Sequence, residues 1–582
     1  MTQLLLSKDG NSWQRVFFAE GTAGFKLTRE NPYFTASEAY TLDVSLPMDI
    51  LENQRFLLNL QRIDASKPMV SMKCRLMVDN RPLLIGTARV TQVTQLAVKV
   101  QLLGGRSEVN FLASDDYVDE LPLGKVNTAT WADQEEVEVS AVTDETKGAS
   151  TSCFQFQLLF LVRRVLAHYG FSLTQCDVDR EPWNRVFVAT AKRTTAYAHV
   201  LPHWTPREFL TQVCNFFNLI MQTDEANKTV RLLAAPDFFG NAGTVKIVPV
   251  EEYQAEMADE SEARALAADN LLFDMSESSA HDYDVIPDDV RENVPAADYL
   301  TYDAAEAAYN AMAENERLRR LFRCPLGSFA GWQFDYSAFG LQPSGAVFTQ
   351  IDVFRPLLRE NAAGDTELKI VPVAMGDWDT SVHWGTEEQG YTVTQHSFAP
   401  TLQNPTGNEH VSISFGGGVF GGNMSDVADE QQATVQEYVM GDETLANKAE
   451  KEDRLEVMFI DDVMQKAVRV NSRNPDVFEQ LDIKSGFTDW RFRQNPLAPT
   501  HRPWSMSLNP TDATYYLGQL HRNGFTFNMK ARHVFSFYAE QMPDPTAIFI
   551  IRSKRYGCEK IEASVNEDGF NHLMTGYFYE MT

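Results

Sequence analysis

Apolar and polar residues alternate with period two at both ends of this chain and follow helical spacing in its middle. The run Tyr40-Thr41-Leu42-Asp43-Val44-Ser45-Leu46 alternates, as do the runs from Val70 to Val78 and from Leu83 to Leu102. The segment Asp79-Asn80-Arg81-Pro82 is expected to turn between the last two. Alternation gives a strand one buried and one wet face, so residues 1–111 are expected to form a β-barrel or sandwich domain. Residues 112–152 are polar, acidic and weakly periodic, which predicts a linker with one strand.

The period then changes. Phe154, Leu158, Leu161, Val162, Val165 and Tyr169 recur at helical spacing, and Gly170 is placed to stop the helix. A second helix has a written start: Thr205 as N-cap, Pro206 in the first helical position and Glu208 completing a capping box. Its apolar stripe is Phe209, Leu210, Val213, Cys214, Phe216 and Phe217. The runs Asn218–Gln222 and Thr229–Leu233 flank a polar turn and predict a hairpin, so 153–250 is expected to be a helical domain with a hairpin.

Residues 251–320 hold 19 acidic and 5 basic residues. With Asp303 and Glu306 opening an alanine-rich helix that runs to about Phe322, residues 251–323 are expected to form an acidic, solvated helical insertion. Residues 324–582 return to β-signals at Ala346–Phe354, Leu368–Met375, Val411–Phe415, Leu455–Ile460, Phe525–Tyr538 and Ala547–Ile551. The last is expected to pair with Tyr556–Val565 across Arg552-Ser553-Lys554-Arg555, as part of a second barrel-like domain. The fold class is therefore α+β, mainly β, and multi-domain. It combines barrel-like antiparallel β-domains, a small helical and mixed domain, and the acidic insertion.

Composition narrows the function. At 582 residues the chain is long enough for several domains, and 44% hydrophobic content supplies their cores. A net charge of −29 repels a phosphate backbone and an anionic membrane surface, so no nucleic-acid binding and no stable membrane insertion are expected. Cys74, Cys153, Cys176, Cys214, Cys324 and Cys558 are scattered without a CxxC pair, which predicts reduced, mostly buried thiols. The opening MTQLLLSKDGNSW is too short in apolar residues for a signal peptide, and synthesis in the cytoplasm is expected.

Candidate chemistry is thin. Gly416-Gly417-Gly418-Val419-Phe420-Gly421 fits GxGxxG, but the run after it, Ser425 to Met440, is polar, and no apolar strand ends in an acid near Asp442. A loop is the expected reading. His199 and His203 have the spacing of a helical metal pair, yet Pro202 lies between them and no zincin glutamate accompanies them. His168 sits beside Tyr169 at a helix end, where the helix dipole favours it. In the doublets Asp115-Asp116 and Asp461-Asp462, adjacent side chains on a strand point to opposite faces. Trp332, Trp378, Trp384, Trp490 and Trp504 lie in separate segments, as expected of core or interface residues. No catalytic, cofactor-binding or metal-ligating residue is assigned, and no cofactor is expected.

The order of features resembles a known family. Ala88-Arg89-Val90 leads to Gln101-Leu102-Leu103-Gly104-Gly105, and a helix follows that ends in His168-Tyr169-Gly170-Phe171. Then Leu201-Pro202-His203-Trp204-Thr205-Pro206-Arg207-Glu208-Phe209-Leu210 runs into Cys214-Asn215-Phe216-Phe217-Asn218-Leu219 and a hairpin. This pattern, over residues 1–235 and more loosely near Arg552–Glu562, is similar to the hub and tail-associated structural proteins of tailed phages and prophages, of the Bacteroidetes type. The resemblance implies paired barrel-like domains in a homo-oligomeric ring, a trimer, that continues the tail tube and contacts other tail or baseplate proteins in the virion. No fibre, lysozyme-like or peptidase domain follows Gly576–Thr582, so the lytic activity of some family members is not implied, and with no catalytic constellation in the sequence a non-enzymatic role is expected. The alternatives left by the residues themselves are a cell-wall glycan hydrolase with paired carboxylates and a carbohydrate-binding adhesin using its tryptophans.

Overall fold

The structure is a computed structural model. It describes residues 1–19, 24–35, 37–41, 44–64, 66, 71–107, 109, 116–127, 137–144, 149–190, 194–224, 227–257, 266, 270–273, 296–299, 302–313, 321–323, 329–332, 347–351, 366–384, 391–403, 410–412, 454–460, 465–470, 478–483, 486–489, 503–508 and 513–582. The expected fold class holds: the chain is mainly β, with large antiparallel sheets and few helices.

The largest sheet has 15 strands and draws on both ends of the sequence. Eight come from the start: β1 (Thr2–Ser7), β2 (Gln14–Val16), β3 (Phe25–Glu30), β4 (Ala39–Thr41), β5 (Val44–Pro47), β6 (Ser71–Val78), β7 (Arg81–Val93) and β8 (Ala97–Gly104). The others are Thr244–Ile247, Val250–Met257, Phe527–Tyr538, Ile548–Ile551, Lys554–Asn566, Gly569–Phe570 and Leu573–Met581. The two sets join where β3 runs antiparallel to Lys554–Asn566, from Phe25↔Val565 to Glu30↔Lys560. Along the sheet the order is Val250–Met257, Phe527–Tyr538, Leu573–Met581, Lys554–Asn566, β3, β4, β8, β7, β6, β1, β2. Its inward positions share one core, with Leu4, Leu46, Cys74 and Val100 from one set and Phe537, Phe549, Ile561 and Phe578 from the other.

Turn chemistry sets the registers. Asp79 and Asn80 lie at φ 50° and 62°, and Arg552 and Ser553 at 47° and 68°, so each pair makes a two-residue hairpin loop in the left-handed region. The run Leu83–Leu102 is two strands, β7 and β8, where the alternation suggested one. Thr94-Gln95-Leu96 contains no glycine or proline to mark the reversal, and Thr94 Oγ1 closes it by accepting from the Ala97 amide at 3.1 Å.

A second core occupies the middle of the sequence. One helix spans Leu158–His168, and Gly170 follows it at φ 79°, a conformation that glycine adopts without penalty. The other spans Pro206–Phe216, and Thr205 Oγ1 accepts from the Glu208 amide at 3.2 Å, as the capping sequence predicts. The expected hairpin forms from Leu219–Asp224 and Thr229–Ala234. Phe156, Phe187, Phe209, Phe216, Phe217, Phe459 and Phe487 are fully buried here.

Three expectations are corrected at the level of elements. Residues 112–152 carry two strands rather than one, Val137–Asp144 and Ala149–Gln157, paired antiparallel, and Val118, Leu121, Leu123 and Val126 enter the core. The first helix begins at Leu158, because Phe154–Gln157 continue the strand and Phe156 pairs with Val188. The block from 251 does not open as a solvated helix: Val250–Met257 is a strand of the main sheet, and Leu266, Leu271 and Phe273 are buried in the middle core. Its helix spans Tyr302–Ala311, and Leu321–Arg323 is a strand.

A small aromatic cluster ties the parts together. Tyr33 packs on Phe34 and Phe239 at ring separations of 4.9 Å, and Phe34 packs on Phe527 at 5.0 Å. Such edge contacts contribute about 0.5–1.5 kcal/mol per pair beyond area burial.

Candidate interaction surfaces at the ends of the long sheet

The strand Val250–Met257 ends the long sheet on one side, and among the described residues no strand pairs with its outer edge. It hydrogen-bonds inward to Phe527–Tyr538. Its sequence, Val-Glu-Glu-Tyr-Gln-Ala-Glu-Met, does not alternate in burial: Glu251 to Ala255 are all exposed, so neither face is covered there. Tyr253 is 56% exposed and Met257 76%, while Tyr538 on the neighbouring strand is 51% exposed. Tyr253 lies over Phe535 with ring centroids 5.0 Å apart, and its hydroxyl is 3.0 Å from His533 Nδ1. Burial lowers the pKa of the His533 imidazole. Glu256 accepts from Arg532 Nε at 2.8 Å, which leaves Glu251 and Glu252 as the acids beyond that pair.

The opposite end has another chemistry. Across β2, β1 and β6, Arg15, Leu5 and Arg75 stand in one row, since Leu5 is in register with both arginines. The Arg75 guanidinium lies 4.1 Å from the centre of the Trp13 ring, and Arg15 lies 5.0 Å from that of Phe17. Lys8 lies 5.0 Å from the Phe56 ring. Buried Asn53 fixes the backbone beneath this patch: it accepts from the Phe17 amide at 2.9 Å and donates to the carbonyls of Phe17 and Pro47 at 2.7 and 2.8 Å. Residues 1–107 contain 13 basic and 9 acidic residues, so this part is positive within a strongly negative chain.

The seam between the two strand sets carries a charged network. Burial opposes ionisation of Glu562, but Lys26 at 2.5 Å and Lys560 at 3.1 Å outweigh it and hold the carboxyl below its ordinary range. Burial raises Glu559 more than Arg532 lowers it. Both Lys560 and Arg532 lie over Tyr577, at 4.4 and 5.2 Å. These groups satisfy one another across four strands, which is the arrangement of a structural network.

The residues singled out by sequence are dispersed. His199 Nδ1 lies 3.2 Å from Thr194 Oγ1, whereas His203 Nδ1 lies 3.0 Å from Asp119 Oδ1 and its ring stacks on Tyr117 at 3.7 Å, so the two histidines have different partners. Asp119, Glu120 and His203 bring one donor atom each within 4.8 Å of one another. Main-chain pairing of the Val118 amide with the Trp204 carbonyl at 2.9 Å makes this a clamp between two loops. His168 is the last residue of its helix, and Asp116 accepts from the Tyr169 hydroxyl at 2.7 Å. Trp504 is buried and stacks on Phe487, 6.1 Å away. Trp332 lies on the strand Phe329–Trp332, and Trp378 and Trp384 on Ala374–Trp384. Gly416–Gly421, Asp442, Asp115, Asp461, Asp462 and Trp490 lie outside the described residues. Cys74, Cys214 and Cys558 are buried and form no disulfide among the described residues, and burial pushes the partly exposed Cys176 up to about 12. Among the described residues no helix is long and apolar enough to cross a membrane.

Sequence reasoning missed both sheet ends. Arg15, Trp13 and Arg75 are separated in sequence, and only the β1–β2 and β1–β6 registers bring them together. Glu251 and Glu252 were visible as acidity, but nothing local marked them as the edge of a sheet.

No family model and no curated protein matches the sequence. Among solved structures the chain is similar to the 43 kDa tail protein of prophage MuSo2 from Shewanella oneidensis, at 7% identity and TM-score 0.32, over 100% of this chain and 97% of that one. It is similar to a tail protein from Neisseria meningitidis MC58, at 8% identity and TM-score 0.27, over 100% and 95% of the two chains. It is also similar to the prophage tail protein gp18 from Listeria monocytogenes EGD-e, at 8% identity and TM-score 0.22, over 75% and 100%. These are similarities at low TM-scores and carry no argument about what the chain does.

Proposed function

We propose that the chain is a non-enzymatic structural subunit of a phage or prophage tail. In this reading it self-assembles into a baseplate-hub or tail-tip ring, a trimer, and joins the tail tube to host-contacting parts. The observation that carries the reading is the long antiparallel sheet built from both ends of the sequence, whose outermost strand on one side, Val250–Met257, has no partner strand on its outer edge among the described residues. Such an edge strand offers a lateral surface to a neighbour while the inner face of the sheet is already packed. The sequence resemblance over residues 1–235 supports the same reading, and a net charge of −29 opposes a nucleic-acid partner.

The test is to locate the chain in purified tail particles with antibodies against it. Labelling confined to one end of the tail, at the tube terminus, is the expected result. Absence from particles that otherwise contain every tail part, together with glycan turnover by the purified chain, would replace this reading with the hydrolase alternative.

A further inference from the structure

Resting on the reading that copies of this chain join one another, we infer a head-to-tail contact between the two ends of the long sheet. The strand Val250–Met257 of one copy docks on the patch formed by Trp13, Arg15 and Arg75 of the next. The two surfaces complement each other in charge. The strand carries Glu251 and Glu252 beyond the Glu256–Arg532 pair, whereas the patch carries Arg15 and Arg75 with Lys8 and Lys73 nearby. They complement each other in composition as well. Tyr253 and Met257 stand exposed on the strand, and Trp and Arg, the residue types that dominate binding hot spots, stand on the patch.

Edge strands are commonly protected by charge, and that alone would explain the glutamates. It does not explain an exposed tyrosine and methionine among them, nor five successive residues with neither face covered. Arg75 and Arg15 are already laid over Trp13 and Phe17, so docking freezes fewer rotamers than it would for free arginines. The occupant is a second copy because the complement of each surface lies on the same chain. A contact between unlike ends is heterologous, and it closes into a ring when the rotation between copies permits.

Two charge reversals test the contact: E251R/E252R gives a chain whose ends are both basic, and R15E/R75E gives one whose ends are both acidic. The wild type should sediment as an oligomer and each variant alone as a monomer, whereas the equimolar mixture should join the two variants one to one in alternating assemblies of even subunit number, since a closed three-membered ring cannot alternate two kinds of copy. Circular dichroism melts check that the variants fold. If a reversal lowers the melting temperature, E251Q/E252Q and R15Q/R75Q replace it, with an expected weakening of roughly 3- to 30-fold in self-association. A wild-type oligomer with unaffected variants, or folded variants that stay monomeric when mixed, would overturn the contact and leave self-assembly standing. A wild type that stays monomeric at every concentration would overturn self-assembly itself, and the contact with it.

Discussion

At the seam of the long sheet, Glu562 is gripped by Lys26 and Lys560, and its pKa is lower in the fold than in the unfolded chain. A carboxylate whose folded pKa is depressed contributes stability above its unfolded pKa and loses it as pH falls through the folded one. Wild type should therefore be more stable than E562Q at neutral pH, and the gap should close on acidification below the ordinary carboxylate range. Urea unfolding of both proteins across pH measures this, and a gap that widens towards acid would contradict the assignment. Individual residues were legible in the sequence where their role is local. Thr205 and Gly170 announce a cap and a stop because each acts on its own turn of helix. Glu562, Lys26 and Arg75 were not legible, since their partners lie across strands distant in sequence.

Elements were legible wherever period and punctuation agree, as in the hairpins at Asp79-Asn80 and Arg552-Ser553. They were misread where punctuation is absent, as at Thr94–Leu96, or where charge density masks a strand, as at Val250–Met257. The second case changes an engineering expectation. As an external insertion, residues 251–323 would be removable at little cost. Instead, replacing only 251–273 with a Gly/Ser linker deletes a strand of the main sheet and three buried side chains, Leu266, Leu271 and Phe273. At about 1.5–3 kcal/mol per buried side chain, the loss is comparable with the whole stability of a domain. The expected product is aggregated or melts far below wild type in differential scanning fluorimetry. An unchanged melt would return this segment to the outside of the fold.

On the scale of the whole molecule, the sequence showed β-structure at both ends but not that the ends share a sheet, because the pairing of β3 with Lys554–Asn566 spans more than 500 residues of separation. That pairing leaves one basic and one acidic end on the same sheet, and the chain's large negative charge is carried by the part beyond residue 107. The central claim is that this arrangement exists to be joined by further copies. Negative-stain imaging of the purified chain, with its mass measured in the same buffer, tests that claim most directly. The account predicts closed rings with a central hole and a mass that is a whole multiple of the chain, 65.7 kDa. Isolated particles of single-chain mass at every concentration would contradict it.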